Sequence, residues 1–230
     1  MNEQHTLGWY RDRLGKITGS RVGVLMKKGK KSEFTEEAMS YIYQLAAERA
    51  IAKRVLEDDL EFEAYINATT FETKAMRFGT ETEATARDAY SFQTGEIVKE
   101  VGACLHFDIP NFASSPDGIT ESNASIEIKC PTQSTFMKYC HRIFDAASLL
   151  IVNPDYYYQC MAHIMCANTI RTDFIVFSPF QERDTHIIPV YPDDFIFKMI
   201  EERITLANQL IDDIVSSQQK LNILIYEQKS

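Results

Sequence analysis

The sequence lacks the features of an exported or membrane-bound protein. No apolar run approaches the roughly 20 residues that a membrane-spanning helix needs. The first 15 residues, MNEQHTLGWYRDRLG, contain no apolar stretch of the kind found in signal peptides. The five cysteines are an odd number and form no CxxC pair, which disfavours a disulfide framework and a zinc or iron–sulfur site. We therefore expect a cytoplasmic protein with reduced thiols and no membrane partner.

Positive charge is also scarce, since 33 acidic residues outnumber 24 basic ones and the net charge is −9. At first sight this argues against a nucleic-acid partner, whose phosphates would be repelled. The average hides an asymmetry, however, because residues 1–31 contain eight basic and two acidic residues and the rest of the chain is strongly acidic. A basic segment on an acidic body is typical of proteins that bind anions, although a solvated lysine cluster in a loop is a simpler explanation.

The hydrophobic pattern predicts helices packed around a central mixed β-sheet, in the α/β (α+β) class. A chain of 230 residues fits one domain, residues 1–230, without a linker. Helices are predicted over 36–56, 70–94 (interrupted by Gly79 and ending near Gly95), 154–168 and from Asp194 to about Leu221. Residues 96–110 and 111–120 are predicted to be extended, with strands over 124–131, 172–179 and 185–191.

The segment SSPDGITESNASIEIKCP (114–131) concentrates the chemistry. Glu127 and Lys129 are two residues apart on a predicted strand, so they point to the same face. If residues 112–120 and 124–130 pair as a hairpin, Asp117 lies beside Glu127.

Two neighbouring carboxylates repel each other unless a cation neutralises them. Together with the carbonyl of Ile128, such oxygens suit Mg²⁺ or Mn²⁺, and Lys129 beside them would polarise an attacking water. This arrangement suits metal-assisted hydrolysis of a phosphodiester, although an ordinary strand with its charges facing water also fits these residues.

Five short motifs follow one another along the chain: WYRDRLGKITGSRV (9–22), FGTETE (78–83), SSPDG (114–118), EIKCP (127–131) and YYYQ (156–159). The Pro-Asp and Glu-x-Lys pair resembles the PD-(D/E)xK nuclease superfamily. The ordered set resembles more closely the phage lambda exonuclease group, the YqaJ-type viral recombinases. This resemblance implies a restriction-endonuclease-like core and a Mg²⁺-dependent 5′-to-3′ exonuclease, acting on linear double-stranded DNA with 5′-phosphorylated ends. The 3′ tails that it leaves would serve strand-annealing recombination.

The resemblance also implies a role for each motif residue. The metal ligands would be Asp117, Glu127, Glu83 and the Ile128 carbonyl. They would bind two Mg²⁺ ions per site, with Mn²⁺ as the alternative ion. Lys129 would activate the water, and Gln159 would line the site. The 5′-phosphate would be held by Arg13, Ser20 and Ser115, and Met76 would act as an apolar wedge that splays the DNA end.

Most of these residues also have simpler roles open to them. Glu83 competes with Glu81 as the acidic residue of its motif, and either could be a solvated helix residue. The simpler roles elsewhere are a surface ion pair for Arg13, a helix cap for Ser20, a core amide for Gln159 and a core position for Met76. The family usually has Gln-x-Gln on its last motif helix, where this chain has Gln159-Cys160-Met161, so the second glutamine has no counterpart.

The implied assembly is a ring-shaped homotrimer that encloses duplex DNA and works with a single-strand annealing protein. Its setting would be a bacterial host cell, with a phage or prophage gene. Arg13 and the lysines of residues 27–31 would then lie along the DNA path, and most acidic residues would face away. Two rival functions fit the same motifs: another PD-(D/E)xK endonuclease or resolvase, and a non-catalytic DNA-end-binding protein.

Overall fold

The computed structural model describes residues 2–71 and 73–227, with side chains as far as residue 220. The helices in this part of the chain are α1 (Leu7–Arg13), α2 (Gly19–Met26), α3 (Glu36–Arg49), α4 (Lys53–Glu57), α5 (Asp59–Thr69), α6 (Lys74–Thr94), α7 (Gln133–Arg142), α8 (Ala146–Val152), α9 (Pro154–Ala167) and α10 (Asp194–Glu227). The strands are β1 (Ile17–Thr18), β2 (Val98–Lys99), β3 (Cys104–Leu105), β4 (Phe112–Ser114), β5 (Gly118–Thr120), β6 (Ala124–Lys129), β7 (Arg171–Phe177) and β8 (Thr185–Val190).

The strands form two sheets, and the larger one is the predicted central mixed sheet. Its order is β2-β5-β6-β7-β8, in which β6 and β7 are parallel and the other neighbours are antiparallel. The smaller sheet has the order β1-β4-β3. With helices around these sheets, the predicted α/β class is confirmed.

The central sheet is covered by a different helix on each face. Ile126 and Ile128 of β6 pack in one apolar cluster with Ala86 and Tyr90 of α6. The opposite face packs against α9, through residues such as Phe174. Because side chains alternate along a strand, the acidic and basic residues of β6 point toward α9.

Helix boundaries follow local capping chemistry. The Thr73 side chain accepts a hydrogen bond from the Met76 amide at the start of α6, and Gly95 ends the helix with a left-handed φ of 77°. At the start of α9, Asn153 caps the helix and Pro154 occupies the first turn, as predicted. The predicted interruption of α6 at Gly79 is wrong, because the helix continues through this position.

Three other predicted boundaries differ from the structure. The helix predicted over 36–56 ends at Arg49, and two further helices, α4 and α5, follow before α6. Residues 112–120 are not one strand, since β4 belongs to the smaller sheet and β5 to the larger. Helix α10 begins at Asp194 as predicted but extends past Leu221 to Glu227. No described helix is both long and apolar enough to cross a membrane.

Candidate active site

The hairpin formed by β5 and β6 brings Asp117 beside Glu127. Gly118 pairs with Ile126, and the Asp117 amide donates to the Ile126 carbonyl over 3.0 Å. The Asp117 Oδ2 atom accepts a hydrogen bond of 2.6 Å from the Ile128 amide. The predicted neighbourhood of the two carboxylates is therefore present, although the hairpin uses residues 118–120 and not 112–120.

Glu127 is the most enclosed residue of this group, with 1% of its surface exposed. Its Oε1 atom contacts the ammonium of Lys129, and its Oε2 atom lies 2.5 Å from Nε2 of His163. Burial on its own would raise the pKa of Glu127, but Lys129 and His163 lower this pKa to about 2. Glu127 is therefore ionised at neutral pH even though it is buried.

Lys129 is held in the site from two sides. Burial alone would lower its pKa, but the Glu127 and Asp117 carboxylates raise it well above the ordinary value. The ammonium also lies 4.8 Å from the ring centre of Tyr156, a cation–π contact from α9. Lys129 is therefore a charged donor whose nitrogen is fixed between a carboxylate and an aromatic ring.

The carboxylates of Asp117 and Glu83 experience an unfavourable concentration of negative charge. Burial raises the pKa of Asp117, and the charges of Glu127 and Glu83 raise it further. Burial also raises the pKa of Glu83, which is opposed by its ion pair with Arg87 one turn along α6. A bound cation would relieve this repulsion.

The donors at this site fit a hard divalent cation. The side chains of Glu83, Asp117 and Glu127 all offer oxygen, which Mg²⁺ and Mn²⁺ prefer. The Ile128 amide points at Asp117, and in a strand the carbonyl of the same residue points to the same side. No described group of three His, Cys, Asp or Glu side chains forms a ready-made metal cluster. Each of the three carboxylates has a protein partner instead.

Arg13 lies next to this site through Ser115, two residues before Asp117. Its Nη1 atom donates to the Ser115 hydroxyl over 2.8 Å, and Nε1 of Trp9 donates to the same oxygen over 3.1 Å. The guanidinium carbon lies 4.4 Å from the Trp9 ring centre. Arg13 has no ion-pair partner among the described residues, so the surface ion pair considered for it is absent.

A cavity of about 510 Å³ opens beside Arg13. Its lining combines cationic, aromatic and amide side chains with one acidic residue. These include Tyr10, Arg13, Lys16, Tyr41, Gln44, Glu48 and Tyr65. The volume lies within the range of small-molecule sites, roughly 300–1,000 Å³.

The remaining predicted residues occupy different environments. Ser20 is exposed in the first turn of α2, where Thr18 takes the cap position, so a capping role for Ser20 is wrong. Met76 is 54% exposed on α6, which excludes a core role. Gln159 is buried on α9 with 8% exposure, and no described residue hydrogen-bonds to its amide group.

One residue at the site was missed by the sequence analysis, which had no pattern to single out a histidine. His163 lies one helical turn after Gln159, on the same face of α9. Its Nδ1 atom is 2.7 Å from the hydroxyl of Ser114, and its Nε2 atom contacts Glu127. The four-residue spacing from Gln159 places both side chains on one helix face but does not by itself indicate the contact with Glu127.

A mixed sheet with Asp117 just before β5, and with Glu127 and Lys129 on the neighbouring strand β6, defines a nuclease of the PD-(D/E)xK class. Residues 8–170 match the model of the YqaJ-like viral recombinase domain, and they make up most of the chain. The chain therefore belongs to the family of YqaJ-like viral recombinases, whose members are divalent-metal-dependent nucleases.

Solved structures of two exonucleases resemble the chain. The alkaline exonuclease LHK-Exo from Laribacter hongkongensis is 26% identical with a TM-score of 0.78, and the match covers 96% of this chain and 100% of that one. Its complex with dAMP gives the same values. A phage-related exonuclease from Haemophilus somnus 129PT, 16% identical with a TM-score of 0.63, shares the fold over 88% of this chain and 96% of its own. No curated protein matched the chain.

Proposed function

We propose that this protein, as a single domain over residues 1–230, is a Mg²⁺-dependent 5′-to-3′ exonuclease. It degrades one strand of linear double-stranded DNA from a 5′-phosphorylated end and leaves 3′ single-stranded tails for strand-annealing recombination. The observation that carries this proposal is the grouping of Asp117, Glu127 and Lys129, with the Arg13–Ser115 contact immediately beside it. The similarity to proteins described as exonucleases supports the same activity.

In this proposal, the site holds two Mg²⁺ ions, or Mn²⁺ ions in place of Mg²⁺. The ligands are the side chains of Asp117, Glu127 and Glu83 and the carbonyl of Ile128. Bound there, the metal would activate water and stabilise charge on the phosphate. Lys129 orients the nucleophilic water by a charge-assisted hydrogen bond. The Gln159 amide, which has no described protein partner, is available to bind water or phosphate.

The terminal phosphate is assigned to Arg13, Ser115 and Ser20. Arginine suits this role because its planar guanidinium binds phosphate oxygens in pairs. The cavity beside Arg13 has the size and the aromatic lining to receive the terminal nucleotide. Met76, exposed on α6, is the apolar residue available to separate the two strands.

The proposed assembly is a homotrimeric ring that encloses the DNA and is paired with a single-strand annealing protein, in a bacterial cytoplasm. The lysines of residues 27–31 and Arg13 are proposed to face the DNA path. Lys27 pairs with Glu37 and Asp155 at 3.5 and 3.6 Å, whereas Lys28, Lys30 and Lys31 are on the surface and available to phosphate. A solution mass equal to one chain would contradict the ring.

The deciding assay compares three substrates in Mg²⁺: linear duplex with 5′-phosphate ends, linear duplex with 5′-hydroxyl ends, and a covalently closed circle. We expect rapid release of nucleotides from the first, slower release from the second, none from the circle and none in EDTA. Cleavage of the circle would identify an endonuclease or resolvase. Binding of ends without cleavage would identify a DNA-end-binding protein.

Arg13→Gln tests the proposed recognition of the 5′ end. The variant should lose most of the preference for phosphorylated ends, about 10-fold or more, since charge-assisted hydrogen bonds contribute roughly 1.5–3 kcal/mol. Arg11→Gln is the matched control, because Arg11 is on the same helix but pairs with Asp59 over 2.6 Å. Equal loss of activity on phosphate and hydroxyl ends in Arg13→Gln would contradict the assigned role.

A further inference from the structure

His163 is buried between two other buried side chains, and it belongs to none of the sequence motifs. It is 1% exposed and lies on α9 directly behind the Glu127 carboxylate. On its other side, Nδ1 meets the hydroxyl of Ser114, which has no exposed surface. The contacts therefore run from Ser114 through His163 to Glu127, and all three side chains are buried.

The two neighbours of His163 define how its ring is oriented. A neutral imidazole has one nitrogen that donates and one that accepts. The ionised Glu127 can only accept, so Nε2 carries a hydrogen, and in the neutral ring Nδ1 then accepts the Ser114 hydroxyl hydrogen. Both ring nitrogens are then satisfied without added charge, and the ring cannot flip without losing both bonds.

Ser114 is itself held in place by the smaller sheet. It lies on β4, the central strand, and pairs with Cys104 of β3. Gly19 of α2 approaches so closely that a β-carbon at this position would lie 2.1 Å from the Ser114 hydroxyl oxygen. The glycine therefore leaves the space that the Ser114 hydroxyl occupies beside His163.

We propose that His163 is a positioning residue that, backed by Ser114, holds the Glu127 carboxylate in the orientation in which Glu127 binds metal. This inference rests on the proposed metal-dependent function. Partners behind a ligating side chain fix its orientation, and their loss typically weakens metal affinity about 10- to 100-fold. His163 links the smaller sheet to the central sheet, so the orientation of Glu127 depends on both.

The test measures Mn²⁺ binding to the full chain without DNA, by titration calorimetry. His163→Leu replaces the imidazole by an apolar side chain of similar size that has no donor, and it should weaken Mn²⁺ binding about 10- to 100-fold. His163→Gln keeps an amide donor near the position of Nε2 and should restore most of this affinity. Ser114→Ala leaves the imidazole in place and should weaken binding only a few-fold.

His186→Leu is the matched control. His186 also makes a short hydrogen bond, 2.7 Å to the Ile143 carbonyl, but on β8, away from Glu127. Its Mn²⁺ affinity should equal that of the wild type. A purely structural role for His163 would lower the melting temperature and leave the Mn²⁺ affinity of the folded protein unchanged, and that result would overturn the inference.

The same samples are assayed for hydrolysis of linear duplex at increasing Mg²⁺. We expect His163→Leu to need about 10- to 100-fold more Mg²⁺ for its half-maximal rate. If the wild type binds Mn²⁺ but degrades no DNA, the proposed function fails while the calorimetric comparison still decides the role of His163. If the wild type binds no Mn²⁺, both proposals are overturned.

Discussion

Glu127 and Glu83 face the same site but are held in opposite ways. Glu127 belongs to what we call the buried half, Ser114, Glu127, Lys129 and His163, in which each side chain is fixed by another. Glu83 belongs to what we call the exposed half, Met76, Gly79, Glu83 and Arg87, which lies on α6. This half is open to solvent at Met76, whereas the side chains of Glu83 and Arg87 are 26% and 14% exposed. The partner of Glu83, Arg87, also pairs with Glu100, a mostly exposed residue, over 2.5 Å.

The difference indicates which half already has its bound-state side-chain positions before metal and DNA bind. A buried carboxylate that loses a partner leaves a charge without compensation, so Glu127 should keep its position. Arg87 also pairs with Glu100, so it keeps a carboxylate partner when Glu83 exchanges it for a cation. We therefore expect the exposed half to adjust on binding and the buried half to stay as it is.

Loss of the buried ammonium should have the largest effect. Lys129→Ala should lower the rate on linear duplex about 100- to 1,000-fold, the range for removing one positioned donor from an active site, and leave the fold intact. Lys99→Ala on β2 of the same sheet is the control, since Lys99 is mostly exposed and its ammonium lies 3.9 Å from Glu121. Near-normal rates for Lys129→Ala would remove the basis for the site assignment.

Loss of the carboxylate in the exposed half should cost less. Glu83→Gln should lower the rate roughly 10- to 100-fold, or about 1.4–2.7 kcal/mol of transition-state stabilisation, because the other oxygen donors remain. Glu81→Gln, two residues earlier and exposed, should have little effect. If Glu81→Gln had the larger effect, the motif would have been assigned to the wrong glutamate.

Two glycine substitutions should change stability and not the rate, and they are measured as free energies of unfolding. Gly19→Ala should destabilise by about 1–3 kcal/mol, because its β-carbon would overlap the Ser114 hydroxyl in the buried half. Gly79→Ala should stabilise by about 0.5–1 kcal/mol, because Gly79 is inside α6 with no atom near its added β-carbon. Equal effects at both positions would contradict the contrast between the halves.

The grouping of Asp117, Glu127 and Lys129 was predictable because its geometry is local. Strand periodicity placed Glu127 and Lys129 on one face, and the short turn between β5 and β6 brought Asp117 next to them. The end of α6 at Gly95 depends on an equally local signal, since this glycine takes a left-handed conformation. Such features need no knowledge of distant parts of the chain.

The missed features depend on contacts between distant residues. His163 is 36 positions from Glu127 and 49 from Ser114, so no local pattern pointed to its role. The assignment of β4 to a second sheet depends on its pairing with Ile17, which lies far away in the sequence. Gly79 was expected to break a helix by its propensity, but a helix of 21 residues tolerates one such position.

A crystal structure of the chain soaked with Mn²⁺, with the metal located by its anomalous scattering, tests the central claim most directly. We predict a metal peak about 2.0–2.3 Å from oxygens of Asp117 and Glu127 and from the Ile128 carbonyl. Glu127 should keep its contact with His163, and Glu83 should have turned away from Arg87. A chain that binds no metal there, or binds it while Glu127 has left His163, would contradict this account.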